Sequence, residues 1–592
     1  MKTLRYLAII TLALFHTPLY ADHIGNKTPN DVFQRVMQLK QQVILLRQAG
    51  NISGAWPTVQ KPSDLTPRHV LQKSLEVLDK IKRLRRIHKM GPITVPPFPT
   101  HTITPNEVYD IVDRLIEELK LFPSLAGTAL QPIRNVTDKT PNDVYQELWN
   151  ISLAMNPLLG VRGLKPADVY VQSLKILNQI RFLRISQSLP LDIPPPVKTE
   201  NKHPNHALKQ AHDLLEKIAE AQNNLWIEPI KVPTTPRREI KPGEVYDTLL
   251  RVQAELERVK YRLGIERDIK IPISKGQKTP NDVLFNLTWA SKMMPLFPSN
   301  TPIKQYPQQS LNKNPSHLYA LTQHIIEELL EYRRQRGIQT MPRKIPKQTN
   351  LKTLNVYQKT LHVMEKVSQI RKQEGLGKLA LPRGYLRQIT MTETYDLIIR
   401  LDDELKILYE RIGMPRQFME LRHAQYYSEK NISDVFQQMW TISYLLDAVM
   451  GTEGYTPTDV FKLTQQVVED LTIIGLATGR MINNLTLPPL IHGTQPTDVL
   501  NQTKVMSRML TKLKLRIGLL GQAQPLSPTP DQVTPDDVHN GVELILSELE
   551  HIKIHLNITE IAPVNRPTDK KTPSQVLQQL QLATRLLQSF IE

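Results

Sequence analysis

Apolar residues recur along the chain with the spacing of one face of an α-helix, in stretches of about 20 residues. A representative stretch carries them at Val70, Leu71, Leu75, Leu78, Ile81 and Leu84, with polar residues between them. Because residues three and four apart lie on the same side of a helix, each stretch predicts an amphipathic helix with one buried face. We therefore expect an all-α protein.

The sequence that precedes these stretches is repeated. The string KTPNDV occupies residues 27–32 and returns at 139–144 and 278–283. Aligned on the proline position, sixteen copies can be found, three of them without the proline, and most are 38 or 39 residues apart. A ladder of this kind predicts tandem repeats. The copies begin at Pro29, Pro67, Pro105, Pro141, Pro166, Pro204, Pro242, Pro280, Pro315, Thr353, Met391, Ile432, Pro457, Pro496, Pro535 and Pro573.

The repeated string has the chemistry of a helix start. Thr28 can accept a hydrogen bond at the N-cap, and Pro29 suits the first helical position, where an N–H has no partner. Asp31 completes a capping box. Helix ends are predicted where glycine precedes an apolar residue, at Gly264, Gly337, Gly375, Gly413 and Gly518. Extended connectors with one buried side are predicted where prolines alternate with apolar residues, as at 93–99, 191–196, 230–233 and 269–272.

The spacing of the copies predicts a higher-order arrangement. Two spacings, Pro141 to Pro166 and Ile432 to Pro457, are only 25 residues, and there we expect two helices in a tight hairpin. The strongest copies recur every 112 to 152 residues, which indicates units of three or four helices. The fold prediction is tandem helical repeats of about 38 residues, each one amphipathic helix plus a proline-rich connector. They form either an α-solenoid, which we favour, or serial four-helix modules. The predicted boundaries are a signal peptide at 1–21, modules at 22–138, 139–277, 278–429 and 430–570, and a C-terminal capping helix at 571–592.

The first 21 residues predict export. Lys2 and Arg5 precede a short apolar run at residues 6–15, and Ala21 is a small residue at the expected cleavage point. Downstream, 18 uninterrupted apolar residues do not occur, so we expect no transmembrane anchor in the mature chain. The chain has no cysteine, which excludes disulfides and thiolate metal sites and is more typical of bacterial than of animal secreted proteins. We expect a bacterial protein located in the periplasm or outside the cell.

Because the formal net charge is +18, the positions of the cations along the chain bear on the function. Many fall in the last helical turns, where a cation complements the helix dipole by about 0.3–1 kcal/mol. If the units stack with one handedness, the same residues would also form a positive ridge. Such a ridge would suit an acidic polysaccharide, lipopolysaccharide, extracellular DNA or an envelope protein. The candidate polyanion-binding residues are Arg83, Arg86, Arg181, Arg184, Arg258, Arg262, Arg333, Arg336, Arg371 and Arg516.

Other candidate chemistry has a local explanation. Adjacent carboxylates at 117–118, 327–328 and 402–403 point about 100° apart on a helix, so we expect them on solvated faces. Histidine groups at 203, 206 and 212 and at 551 and 555 lack a metalloprotease pattern, and we interpret the first group as cap replacements. Nucleophile, phosphate-binding and dinucleotide-binding motifs are absent from the sequence. We therefore assign no catalytic residue, no metal ligand and no cofactor.

The function predicted from sequence is an exported, non-enzymatic scaffold or binding surface. The alternative is an enzyme acting on an acidic polysaccharide, with a site assembled from several repeats. A pocket that gathers histidine, tyrosine, arginine and a carboxylate from different units would favour the enzyme.

Overall fold

Sixteen long α-helices make up the fold of the described residues. The computed structural model describes residues 27–591 except for 97, 100, 129–135, 161–163, 236, 264, 266–276, 298–312, 341–344, 346–347, 383–387, 415–426, 453, 480–485, 520, 522, 524–525, 527–531, 559, 564–566 and 568. The predicted signal peptide, the helix end at Gly264 and the connector at 269–272 lie outside the described residues. None of the described helices combines the length and apolar character that a membrane crossing requires.

All sixteen helices begin at the residue that the repeat predicts. They are α1 (Pro29–Ala49), α2 (Pro67–Ile87), α3 (Pro105–Lys120), α4 (Pro141–Met155), α5 (Pro166–Ser186), α6 (Pro204–Asn224), α7 (Pro242–Arg262), α8 (Pro280–Met293), α9 (Pro315–Gln335), α10 (Thr353–Gln373), α11 (Met391–Arg411), α12 (Ile432–Met450), α13 (Pro457–Ala477), α14 (Pro496–Arg516), α15 (Pro535–His555) and α16 (Pro573–Ile591). Short 3₁₀ turns follow α3 and α4, at Pro123–Leu125 and Pro157–Leu159.

The helix starts are capped as expected. The backbone N–H of Thr28 donates to Asp31 Oδ2 at 2.8 Å, and the N–H of Asp31 donates back to Thr28 Oγ1 at 3.4 Å. The same arrangement holds at Thr390 and Glu393, at the start of α11, which lacks the proline. The repeated feature is therefore the helix cap, which forms with or without the proline at the first helical position.

The helix ends and connectors also follow the prediction. Gly375 has φ +70°, and the N–H of Leu376 donates to Arg371 O at 2.7 Å, which closes the last turn of α10. Some connectors lie along the helices with apolar residues buried, as Ile93 and Ile240 show, whereas Leu191 in the predicted connector 191–196 is exposed. The carbonyl of Glu228 accepts from Arg258 late in α7, and that of Lys231 accepts from Arg251 earlier in α7. This connector therefore runs back from the end of one helix towards the start of the next.

Because the connectors run back, the helices of each bundle are parallel. In the first four-helix module, the first and second helices each pack against the third and fourth, giving the order α1, α3, α2, α4 around the bundle. The other three modules, α5–α8, α9–α12 and α13–α16, have the same order. At the far ends of α1 and α4, Arg47 donates to Ala154 O at 2.9 Å. Both the starts and the ends of the helices therefore meet.

The starts of neighbouring parallel helices are joined by hydrogen bonds. In each bond, the side chain of the second residue of one helix accepts from a backbone N–H just before another helix. The N–H of Lys27, before α1, donates to Asn106 of α3 at 2.6 Å. The N–H of Leu65, before α2, donates to Asn142 of α4 at 2.9 Å. The N–H of Lys139, before α4, donates to Asn30 of α1 at 2.8 Å. The asparagine of the repeated string is thus a contact between helices. Equivalent bonds in the other modules are Lys202 to Asn281, Ile240 to Asn205, Lys313 to Thr392, Lys430 to Ser316, Tyr455 to Asp536 and Lys571 to Thr458.

The module boundaries differ by one helix from those expected. Four hydrophobic cores are present in the described residues, and each is drawn almost entirely from one group of four helices: α1–α4, α5–α8, α9–α12 or α13–α16. The strong copies at Pro141, Pro280, Ile432 and Pro573 therefore begin the last helix of a module. There the hydrogen bonds between helix starts complete a ring around the bundle. The predicted hairpins are also corrected, because α4 and α5, like α12 and α13, belong to different modules and do not pack side by side in the described residues.

The two halves of the chain are internal copies. Adding 286 to a residue of α2 or α3 gives its counterpart in α10 or α11, so that Arg85 corresponds to Arg371 and Glu118 to Glu404. Arg85 donates to Glu118 at 2.9 Å, and Arg371 donates to Glu404 at 3.0 Å. Each arginine also reaches across to the other half: Arg85 donates to Lys378 O at 3.2 Å, and Arg371 donates to Pro92 O. Since Pro92 and Lys378 are themselves 286 apart, the halves meet about a local pseudo-twofold axis.

Candidate functional sites

Most of the ten arginines predicted to bind a polyanion are engaged with protein groups. Three of them donate to carbonyl oxygens at or beyond the end of another helix: Arg184 to Met293 at 2.9 Å, Arg262 to Leu225 at 2.9 Å, and Arg516 to Ile591. Three others form ion pairs: Arg83 with Asp79, Arg258 with Glu255, and Arg336 with Glu374, each at 2.8 Å. Arg181 lies over the ring of Trp289, 4.2 Å from its centroid. These contacts support the explanation that cations late in the helices interact with groups of the protein itself.

The expectation of a surface ridge needs correction at two positions. Arg371 is fully buried at the junction of the halves, and Arg333 is buried against Thr340. Neither side chain can face a polymer, because Arg371 is covered by the other half and Arg333 by the connector that follows its own helix. Arg86 remains exposed at the end of α2.

The histidine groups are separated. His203 and His206 lie at the start of α6 with ring centroids 6.1 Å apart, while His212 bonds Thr235 at 2.8 Å. His551 contacts Lys352, and His555 bonds Ile517 O at 3.0 Å. Neither set is part of the cluster of at least three ligand atoms close enough to hold one ion that the described residues contain.

The adjacent carboxylates are not all solvated, contrary to expectation. Glu118, Glu328 and Asp402 are buried. Burial raises the pKa of Glu328 to about 7, with His324 opposing the shift. Sequence reasoning missed this because the polar side of these helices packs against another helix or module.

A row of cations on α14 is the first candidate site. Lys504, Arg508, Lys512 and Arg516 follow one another four residues apart, so they run along one side of the helix at intervals of about 6 Å. We call these four residues the basic stripe. Arg508, Lys512 and Arg516 are exposed, and Lys504 is half-buried. The acidic residue of α14 is Asp498, in its first turn.

The fold does not require cations at these positions. The counterpart of α14 in the first half is α6, 292 residues earlier, and there Arg508 and Lys512 correspond to Glu216 and Glu220. Both glutamates are exposed. Like charges four residues apart disfavour a helix by a few tenths of a kcal/mol per pair. The four cations of α14 form three such pairs, whereas Glu216 and Glu220 form one in α6, and the internal copy shows that positive charge at these positions is not needed for folding.

A cavity between the third and fourth modules is the second candidate site. Its volume is about 220 Å³, and its lining includes His362, Lys366, Asp447, Tyr455 and His539. These residues come from α10, α12, the turn before α13, and α15. The imidazole of His539 stacks on the ring of Tyr455 with centroids 3.5 Å apart, and Lys366 Nζ lies 3.9 Å from the same centroid.

Burial perturbs the titration of the groups in this cavity. It raises the pKa of Asp447 to about 6, against the opposing attraction of Lys366. It also lowers the pKa of His539 well below its usual value and lowers that of Lys366. Asp447 can therefore exchange a proton near neutral pH while His539 stays neutral, which is the minimum that acid–base chemistry requires.

The first half again supplies a comparison. Lys366 and Asp447 correspond to Lys80 and Asn156, which are hydrogen-bonded at 2.9 Å, so this pair is structural in both halves. His362, Tyr455 and His539 instead correspond to Glu76, Leu164 and Tyr246. Aligning the two halves is the signal that would have found these three residues, and the basic stripe, from sequence.

The comparisons with known proteins do not add to this picture. No family model matches the sequence, and neither the curated proteins nor the solved structures contain a match.

Proposed function

We propose that the protein is a non-enzymatic helical scaffold, exported by a bacterial cell, that binds a polyanionic polymer along the basic stripe. The observation that carries the proposal is the charge reversal between α14 and α6, since Arg508 and Lys512 stand where the internal copy has Glu216 and Glu220. Cations that the fold does not need, held about 6 Å apart on a rigid helix, suit a chain of regularly spaced anionic groups. Acidic polysaccharides, lipopolysaccharide and extracellular DNA all have that chemistry.

The scaffold part of the proposal is supported by how the modules are joined. Lys73 of α2 pairs with Asp247 of α7 at 2.6 Å between the first and second modules, and Lys359 pairs with Glu543 at 3.1 Å between the third and fourth. Both lysines are buried. A buried charge left without its partner costs several kcal/mol, so such junctions keep neighbouring bundles in one orientation.

Salt elution from immobilised heparin and from immobilised DNA tests the polymer contact. The variant Arg508→Gln/Lys512→Gln should elute at lower salt than the wild type and reduce the slope of log Kobs against log salt by about 2. The matched control is Arg83→Gln/Arg86→Gln, which removes the same formal charge from the end of α2. Equal shifts in both variants would show that only net charge matters, and an unchanged stripe variant would refute the proposal.

The enzyme alternative is favoured by the cavity, which brings together two histidines, a tyrosine and a carboxylate from the third and fourth modules. It has Lys366 where an arginine was expected. In this alternative Asp447 exchanges the proton and the target is an acidic polysaccharide. Release of reducing ends from acidic polysaccharides, abolished by Asp447→Asn with unchanged far-UV circular dichroism, would support it. No release from any such polymer by the wild-type chain would leave the scaffold as the function.

A further inference from the structure

At the junction of the two halves, three side chains of different chemistry converge. His101 lies in the connector before α3, Glu107 lies in the first turn of α3, and Asp396 lies in α11 of the other half. One ligand atom from each, an imidazole nitrogen and two carboxylate oxygens, lies within 4.8 Å of the other two. We propose that these three residues bind one divalent transition-metal ion, of which Zn²⁺ is the representative, and that the ion links the first module to the third.

The donor set determines the class of metal. Imidazole nitrogen with carboxylate oxygen suits Zn²⁺, Ni²⁺ or Co²⁺, whereas Mg²⁺ and Ca²⁺ prefer oxygen alone. This cluster supplies three protein ligands, the number found in catalytic zinc sites, where water takes the fourth position, whereas structural zinc sites usually have four. A tetrahedral zinc ion holds its ligand atoms about 3.3 Å apart, so the present cluster has to close by up to about 1.5 Å.

The histidine is held in place by the rest of the fold. The buried guanidinium of Arg68 donates to Pro99 O at 3.0 Å and also to His101 O. His101 Nε2 contacts Glu107 Oε1 directly. The connector is therefore fixed on both sides of the imidazole.

Glu107 can serve the ion without giving up its capping role. Its Oε2 accepts from the N–H of Thr104 at 2.8 Å, while its Oε1 faces His101. The carboxylate of Asp396 makes no hydrogen bond or ion pair with the described part of the chain. One ion would thus bind Glu107 Oε1, which takes no part in the cap, and the carboxylate of Asp396, which bonds none of the described residues, and would offset the repulsion between them.

The internal duplication makes the cluster specific to one side of the junction. The residues 286 positions away from His101, Glu107 and Asp396 are Arg387, Glu393 and Asp110. At the corresponding sequence positions the other copy thus has the same two carboxylates but an arginine in place of the histidine. An arginine neutralises carboxylates and cannot bind a metal. The histidine is what distinguishes this side.

Isothermal titration of the chelator-treated full chain with Zn²⁺ at pH 7 tests the proposal. We expect one site per chain with Kd below about 10 µM, and a Zn²⁺-dependent rise in Tm. His101→Gln and Asp396→Asn should each weaken binding at least tenfold and abolish the rise in Tm. The matched control is Asp110→Asn, the same substitution at the internal counterpart, which should change neither.

Two results would overturn it. One is the absence of a site with Kd below about 100 µM in the wild-type chain. The other is a tight site that survives both His101→Gln and Asp396→Asn, since the ion would then be bound elsewhere among the sixteen histidines. Because the two variants come from different halves and remove different donors, failure of one to fold leaves the other as the test. Mg²⁺ at millimolar concentration should not compete.

Discussion

Replacing Gly377 by alanine should weaken the junction between the two halves far more than the same change at Gly375. Both glycines have positive φ, +73° and +70°, so both alanines bear the cost of a left-handed backbone, about 1–2 kcal/mol. They differ in what a Cβ would meet. At Gly377 it would lie 2.1 Å from the carbonyl oxygen of Met90, in the other half, whereas at Gly375 there is nothing within 4 Å.

The excess cost at Gly377 follows from the bonds beside it. A contact of 2.1 Å is impossible for a Cβ, so the two backbones have to move apart. That movement lengthens the bond from Arg85 to Lys378 O and the reciprocal bond from Arg371 to Pro92 O. Hydrogen bonds to charged groups contribute about 1.5–3 kcal/mol each. The alanine at 377 should therefore cost about 3–6 kcal/mol more than the alanine at 375.

Hydrogen exchange by mass spectrometry can resolve this difference, because it reports separately on the two segments that meet. In Gly377→Ala, exchange should become faster in residues 88–96 as well as in 374–382, although 88–96 belongs to the other half. In Gly375→Ala, any change should be confined to residues 374–382. Equal exchange of residues 88–96 in the two variants would refute the reciprocal contact.

Three further changes test the packing of the modules. Asn142→Ala removes the acceptor of the Leu65 N–H and should cost about 1–3 kcal/mol, visible as faster exchange of that amide, whereas unchanged exchange would show that the bond between helix starts contributes nothing. Lys366→Met leaves buried Asp447 unpaired and should cost about 3–5 kcal/mol in urea unfolding; Asp447→Asn in the same chain should restore most of it, and no restoration would contradict the pairing. Acid should act oppositely on the halves. The pKa of Glu76 is lowered to about 2 chiefly by Lys73, against burial, so its stabilisation is present above pH 4.5 and lost as pH falls towards 2. The pKa of Asp447 is raised to about 6, so its stabilisation is present below pH 3.8 and lost as pH rises through 6. Pepsin at pH 3.5 should therefore cleave the first half before the second, and the reverse order would contradict the assignment.

The helix starts could be predicted from sequence because capping is a local interaction. Even α10 and α12, whose first residues are Thr353 and Ile432, begin where the repeat places them. The cap needs only a residue three positions later that accepts from the N-cap N–H, as Asn355 does from Lys352, so three degenerate copies could be aligned without their proline. The helix ends at Gly337 and Gly413 follow for the same reason.

The grouping of the helices could not be predicted from similarity among the repeats. The strong copies at Pro141, Pro280, Ile432 and Pro573 each begin the last helix of a module, as the bond from the Lys139 N–H to Asn30 shows for the first, whereas the strong copy at Pro29 begins the first helix of one. Connector length did contain a signal for the parallel arrangement. The connector between α1 and α2 has 17 residues, which can extend about 56 Å, whereas a 21-residue helix is about 31 Å long. A segment of that length can return to the starting end.

The candidate sites were missed in part because a row of charges can be interpreted only by comparison with a related helix that lacks it. Arg516 was among the predicted cations and Lys512 lies in the same last turns, but Lys504 and Arg508 lie outside the last turns, where cations were expected. The related helix was present in the same chain. Comparison of α14 with α6 shows which cations the fold tolerates losing, and that comparison becomes possible once the offset between the halves is known.

The parallel bundles explain why so many cations lie at helix ends. Four parallel helices place four partial negative charges, each about half an elementary charge, side by side at one end of the module. This arrangement is unfavourable unless donors are supplied there. Arg47, Arg184 and Arg262 supply them, each at 2.9 Å from a carbonyl oxygen at or just beyond the end of another helix. Much of the net charge of +18 is therefore engaged by the fold and cannot be counted towards a ligand. Within the basic stripe, Arg516 is engaged in this way at Ile591 O, whereas Arg508 in the middle of α14 and Lys512 about one turn before its end donate to no helix-end carbonyl in the described residues.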